Sequence, residues 1–140
     1  MATLEQYRNS AFVKYCEMAL DSFLSETHGV KHVLLATPDG FSIASQSSDG
    51  GTYSAENLAA VGSTLFSLGS SVGEQMGQGM CRSITIDNDK GKVYIYSIDG
   101  GKGKSLILLI EATQQSMLAH ILHGSRKLAE SISKRMSLIG

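Results

Sequence analysis

Leu106-Ile107-Leu108-Leu109-Ile110 is a run without a single polar side chain. A strand that is apolar on both faces must be covered on both, so it belongs at the centre of a sheet with helices above and below. The segments before it supply the neighbours. Val93 to Ile98 reads as a strand, with a turn from Asp99 to Gly103 leading into the apolar run. Arg82, Ile84 and Ile86 alternate with Cys81, Ser83 and Thr85, which is strand periodicity, and Asp87 to Gly91 is a turn. Further upstream, Val30 to Thr37 is mostly apolar. Thr37-Pro38-Asp39-Gly40 follows, with proline presetting one turn dihedral and glycine accepting a positive φ. Phe41, Ile43 and Ser45 mark the returning strand, and Gln46 to Gly51 a polar loop.

Three helices flank these strands. Phe12, Cys16, Ala19, Leu20 and Phe23 recur at helical spacing, which predicts one helix from about Leu4 to Glu26, stopped by Gly29. Ser54 caps a second helix that runs to about Gln78, with Glu56 in its first turn. Thr113 caps a third, whose stripe is Leu118, Ile121, Leu122, Leu128, Ile132 and Met136. The order is α-β-β-α-β-β-β-α. Every strand-to-strand link is short enough for a hairpin, so the sheet is mainly antiparallel. This is an α/β protein of the α+β type with helices on both sheet faces. The 140 residues fit a single domain, with residues 1–29 as an N-terminal helix and 30–140 as the core.

Composition excludes several function classes. Net charge is −1, and no Lys or Arg lies between Lys31 and Arg82. The charges of the last helix alternate (Arg126, Lys127, Glu130, Lys134, Arg135), which is a solvated helix face and not a basic groove for nucleic acid. No apolar run approaches a membrane span, and MATLEQYRNS is not a signal peptide. Cys16 and Cys81 lie in apolar-patterned segments without a CxxC, which suits reduced core residues in the cytoplasm, with a disulfide as the alternative.

The most informative helix is Ser54–Gln78, SAENLAAVGSTLFSLGSSVGEQMGQ. On a helical wheel, Leu58, Val61, Leu65, Leu68, Val72 and Met76 form an aliphatic face. Beside it lie Gly62, Phe66, Gly69, Gly73 and Gly77, and opposite lie Ser63, Thr64, Ser67, Ser70, Ser71 and Glu74. A glycine inside a helix costs about 1 kcal/mol relative to alanine, so the stripe costs roughly 3–4 kcal/mol. Close approach of another backbone offsets such a cost. Two placements are open. The aliphatic face serves the sheet and leaves the glycines for a helix of another chain, or the glycines pack on this chain's own sheet.

Several motifs imitate functional sites. Gly100-Gly101-Lys102-Gly103-Lys104-Ser105 suggests a phosphate loop, but Ile98 stands where its first glycine belongs and a strand follows. Asp87-Asn88-Asp89-Lys90-Gly91 opens like a calcium loop, but Lys92 and Ile98 occupy the sixth and twelfth positions. His120 and His123 share a helix face without a third ligand at matching spacing. No nucleophile, base and oxyanion site come together, so neither an enzyme nor a cofactor is expected.

The strand-turn-strand VLLATPDGFSIAS, the glycine helix, SITIDNDKGKVYIYSI and LILLIEA together resemble the roadblock family, over roughly Val30 to Lys134. That family includes the dynein roadblock light chains and the bacterial MglB-type regulators of Ras-like GTPases. The resemblance implies a five-stranded sheet of order 2-1-5-4-3. It implies a homodimer joined through the edge strand Cys81–Asp87, including Arg82, Ser83, Ile84 and Thr85, and through the glycine helices. It also implies that the paired helices form the surface for a small GTPase, carried here by Gly62, Ser63, Phe66, Ser70, Gly73 and Glu74, with Gly69 and Gly77 on the same partner or dimer interface. No Lys or Arg lies on that helix, so it offers no arginine finger. The alternatives are a light-chain-like structural adaptor without a GTPase, and a sensory domain of PAS or profilin type.

Overall fold

The computed structural model describes residues 3–48 and 54–139. Its elements are α1 (Leu4–Tyr7), α2 (Ser10–Glu26), β1 (Val30–Ala36), β2 (Ser42–Ser47), α3 (Ala55–Gln75), β3 (Ser83–Asn88), β4 (Gly91–Gly101), β5 (Lys104–Ala112) and α4 (Leu118–Met136). The strands form one sheet of order β2-β1-β5-β4-β3, antiparallel at every step.

The apolar run sits in β5, at the centre of this order. Leu106, Leu108 and Ile110 face the core formed with Cys16, Leu20 and Phe23 of α2 and Ile121, Ile132 and Met136 of α4. Ile107 and Leu109 face the opposite way, toward Ala59, Leu65 and Phe66 of α3. Two helices therefore cover one face and one covers the other. At the turn after β1, Gly40 adopts φ +99° and donates its N–H to the Thr37 carbonyl at 3.0 Å.

Several boundaries differ from the sequence reading. The first helix breaks in two, because Asn9 caps a new start: its Oδ1 accepts from the N–H groups of Ala11 and Phe12. Thr3 and Gln6 close a capping box on α1. Thr113 is not a helix cap. Its N–H donates to the Gly29 carbonyl at 2.8 Å, and α4 begins at Leu118 with no side-chain cap. Gln46 and Ser47 extend β2, and residues 49–51 of the expected loop lie outside the described residues. Helix α3 stops at Gln75 because Gly77, at φ +70°, lets the chain reverse. Gln78 N–H then reaches the Gly73 carbonyl at 2.7 Å, a Schellman closure.

The two sheet edges differ. At the β2 edge, Arg8 donates to the Ser42 carbonyl at 3.0 Å and pairs with Glu56 at 3.9 Å. The Ser42 hydroxyl donates to the same carboxylate, and Gln46 reaches the Glu17 carbonyl. At the β3 edge, Ser83, Thr85 and Asp87 stand exposed. Among the described residues, no helix is long and apolar enough to cross a membrane.

Candidate protein-binding interface

Helix α3 crosses the sheet from β1 toward the edge strand, and its glycines fix how closely it does so. A Cβ added to Gly62 would stand 2.6 Å from Leu109 Cδ1. One added to Gly69 would stand 3.0 Å from Ile84 Cδ1 and 3.1 Å from Cys81 Sγ. One added to Gly73 would stand 2.7 Å from the Gly79 carbonyl oxygen. The glycines are notches that receive large side chains of this chain's own sheet and the turn that leads into β3. Their propensity cost, about 1 kcal/mol each, is offset by that close packing.

The placement of the two stripes is therefore corrected. The sheet-facing side of α3 is Leu58, Gly62, Leu65, Phe66, Gly69 and Gly73, not the continuous aliphatic face. The rest of the aliphatic stripe points away from the chain. Val61 is 55 % exposed, Leu68 59 %, Val72 56 % and Met76 68 %. Met80, in the turn after the helix, is 89 % exposed. The far half of α3 leaves its apolar strip open. Gly69 lies above Ile84 on the edge strand, and Val72 shares a groove with Arg82 and Ser83 at the start of that strand.

The expected site residues divide accordingly. Gly62 is buried, and Phe66 is half-buried in the sheet-facing cluster. Ser63 is half-buried, its hydroxyl donating to the Ala60 carbonyl at 3.0 Å. Gly69, Ser70 and Gly73 are half-buried, while Glu74 and Gly77 are exposed. On the edge, Arg82, Ser83 and Thr85 are exposed, and Cys81 and Ile84 are half-buried. Cys81 thus leaves the expected core, whereas Cys16 is fully buried. Burial pushes the Cys16 thiol up to about 12. Sequence reasoning missed Val61, Leu68, Val72, Met76 and Met80 as surface residues. The available signal was an aliphatic stripe continuing past the last residue that the sheet could cover.

The look-alike sites resolve into structural roles. Gly101, Lys102 and Gly103 all have positive φ in a tight β4–β5 hairpin. Lys104 Nζ turns away from that loop and donates to the carbonyls of Met136, at 3.2 Å, and Ile139, where α4 ends. A cation on those carbonyls complements the helix dipole. Lys104→Met should therefore lower stability by about 1–2 kcal/mol in urea unfolding. It should leave Mg-nucleotide titration as flat as in the parent protein, and a nucleotide-binding signal lost in the variant would contradict this role. The calcium-like segment is the β3–β4 turn, pinned by Gln114 Nε2 on the carbonyls of Asn88 and Asp89. His120 and His123 are exposed on a groove of about 550 Å3 between α2 and α4. Among the described residues, no three metal-binding side chains cluster.

The geometry has counterparts among known proteins. The chain matches MglB of Myxococcus xanthus with a TM-score of 0.80 at 14% identity, over 98% of this chain and 93% of that one. It matches a gliding protein MglB from Thermus thermophilus with a TM-score of 0.78 at 14% identity, over 91% and 92%. A roadblock domain from Streptomyces avermitilis matches with a TM-score of 0.75 at 21% identity, over 86% and 97%. At these identities the likeness is one of fold. No individual curated protein matches by sequence. The family model for the Roadblock/LC7 domain matches residues 17–111, more than half of the chain, from the middle of α2 to the end of the apolar run. The chain belongs to the Roadblock/LC7 domain family.

Proposed function

We propose that this protein is a homodimeric protein-binding module that regulates or scaffolds a small Ras-like GTPase and performs no catalysis of its own. The observation that carries the reading is the apolar strip of α3. Leu68, Val72 and Met76 are more than half exposed on a helix that lies over a bare edge strand. An edge with unpaired backbone groups and an apolar strip beside it fit together as one contact surface for a second copy. The paired helices then present Glu74 and a border of serine and threonine hydroxyls to a third chain. The fold likeness to MglB proteins and the roadblock resemblance supply the GTPase as partner. Without Lys or Arg on α3, stimulation of GTP hydrolysis would come from repositioning the GTPase's own residues. Two free cysteines, one buried and one half-buried, fit a reducing, cytoplasmic setting.

Static light scattering at micromolar concentration should return twice the chain mass of 14.9 kDa. A stable monomer would sink the reading. Titration with a purified small GTPase, loaded with GDP or with a non-hydrolysable GTP analogue, then separates the functions. Binding that depends on the nucleotide supports regulation. A dimer that binds neither form points to the adaptor role instead.

A further inference from the structure

The sheet face away from α3 carries a second open surface. Helices α2 and α4 lie antiparallel there. The hydroxyls of Tyr15 and Ser131 hydrogen-bond across the pair, and further along Gly124 brings α4 close to the end of α2. A Cβ added to Gly124 would stand 2.9 Å from Phe23 Cε1 and 3.1 Å from Thr27 Oγ1. Between the helices runs the groove of about 550 Å3. A second hollow of about 480 Å3 continues it toward the end of α4, with Tyr15, Lys127 and Ser131 as shared walls. From His120 to Lys134 the trough extends about 21 Å along α4, at 1.5 Å per residue. Ala19, Phe23 and Leu128 line its depth, and Met18, 67 % exposed, stands on its rim.

The rim is charged unevenly. The α2 side contributes one carboxylate, Glu26. The α4 side contributes His120, His123, Lys127 and Lys134, all exposed, against Glu130 alone. Glu130 is three residues from Lys127 and four from Lys134, yet among the described residues neither lysine is ion-paired with it. The helix dipole accounts for Lys134 and Arg135, which stand in the last turn of α4. It does not account for Lys127 in mid-helix. Nor does it account for His120 in a first turn that holds no acidic residue, where a cation is disfavoured. The trough thus pairs an apolar floor with ammonium groups that have no carboxylate of their own.

Both walls are helices whose backbone groups are already paired, so an added strand would find nothing to bond. A helix fits, because two helices side by side leave a furrow that takes the side-chain ridge of a third. Apolar residues at i, i+3, i+4 and i+7 of such a helix would meet Met18, Ala19 and Leu128. Its flank toward α4 must be acidic to match Lys127 and Lys134. We infer that the α2–α4 groove is a docking site for an amphipathic helix of a partner protein, one with a row of carboxylates along one side of its apolar stripe. The groove and α3 lie on opposite faces of the sheet, so a helix held here leaves the α3 strip free. The site stands whether or not the chain pairs with a second copy.

Fluorescence anisotropy with two labelled synthetic peptides of about 18 residues, five helical turns, tests the site. Both carry the same leucine stripe, flanked on one side by glutamates in the first and by lysines in the second. The glutamate peptide should bind the parent protein at least about tenfold more tightly, and the preference should shrink as salt is added. Lys127→Glu with Lys134→Glu should reverse the preference, a result that loss of folding cannot produce. Met18→Gln should weaken both peptides by about fivefold. Leu68→Ser with Val72→Ser, on the opposite face, should leave binding unchanged. Equal binding of the two peptides, or no binding of either at submillimolar concentration, overturns the docking site. Loss of binding in Leu68→Ser with Val72→Ser places the peptide on α3 and overturns it as well. Sedimentation with vesicles of phosphatidylserine and phosphatidylcholine separates a helix from a lipid surface. If the parent protein sediments with them and Lys127→Glu with Lys134→Glu does not, the basic rim serves a membrane and the helix is the wrong occupant.

Discussion

A protein carrying Leu68→Lys and Val72→Lys is expected to be a folded monomer. Both side chains are more than half exposed in the single chain, so replacing them removes little packing from the fold. Lysine is a good helix former, and a cation suits the C-terminal half of a helix. At a contact between two copies the same substitutions place four ammonium groups around one two-fold axis and remove four apolar side chains. Desolvating such charges without partners costs several kcal/mol. A weakening of about 4 kcal/mol corresponds to roughly a thousandfold in the dimer dissociation constant. Sedimentation or light scattering across a concentration series, read beside circular dichroism and urea unfolding, measures it. If the variant dimerises as the parent does, the exposed apolar strip of α3 is not the contact.

The opposite outcome is expected on the sheet-facing side of the same helix. Gly62→Leu should cripple the fold before it affects association. The added Cβ would lie 2.6 Å from Leu109 Cδ1, 2.9 Å from Cδ2 and 3.1 Å from Cγ, and Leu109 is itself buried in the central strand. The leucine cannot retreat, because the helix is held against β1 and β5 on that side. Overpacking of this kind costs about 3 kcal/mol, a large share of the stability of an ordinary domain. The gain in helix propensity, somewhat under 1 kcal/mol, does not offset it. Val61→Leu is the control. It sits at the adjacent, exposed position and should unfold at nearly the parent's urea concentration. A Gly62→Leu protein as stable as the parent would mean that the glycine stripe faces outward after all.

These two variants mark where the sequence was readable and where it was not. Leu106–Ile110 identified the central strand because an all-apolar strand admits few other positions. The hairpin links made the sheet antiparallel by length alone. The helical wheel separated the stripes of α3 correctly but could not say which stripe met the sheet. The habit of turning aliphatic residues inward put Leu68 and Val72 in the core. The sheet beneath decided otherwise: Leu109 and Ile84 are large, and only glycine leaves room for them. That complementarity joins residues from three separate elements, which no local window contains. The same holds for Lys104, whose place at the end of α4 depends on a contact across more than thirty residues of sequence. The break at Asn9 was legible, since asparagine is a strong helix cap, but the apolar spacing on both sides concealed it.

The unequal edges of the sheet have a consequence for growth. In the language of polymer chemistry, a unit with two reactive ends makes chains, and a unit with one makes dimers. Here one end is closed by Arg8, Glu56 and Gln46 at the margin of β2, and the other is open along β3. On the proposed pairing of two copies, the open end is consumed by the first unit it meets, so addition terminates at two. Unblocking the closed end, by Arg8→Ala with Glu56→Ala, would turn a terminator into a propagating site. The penalty would appear as fibres or precipitate rather than as a larger discrete particle.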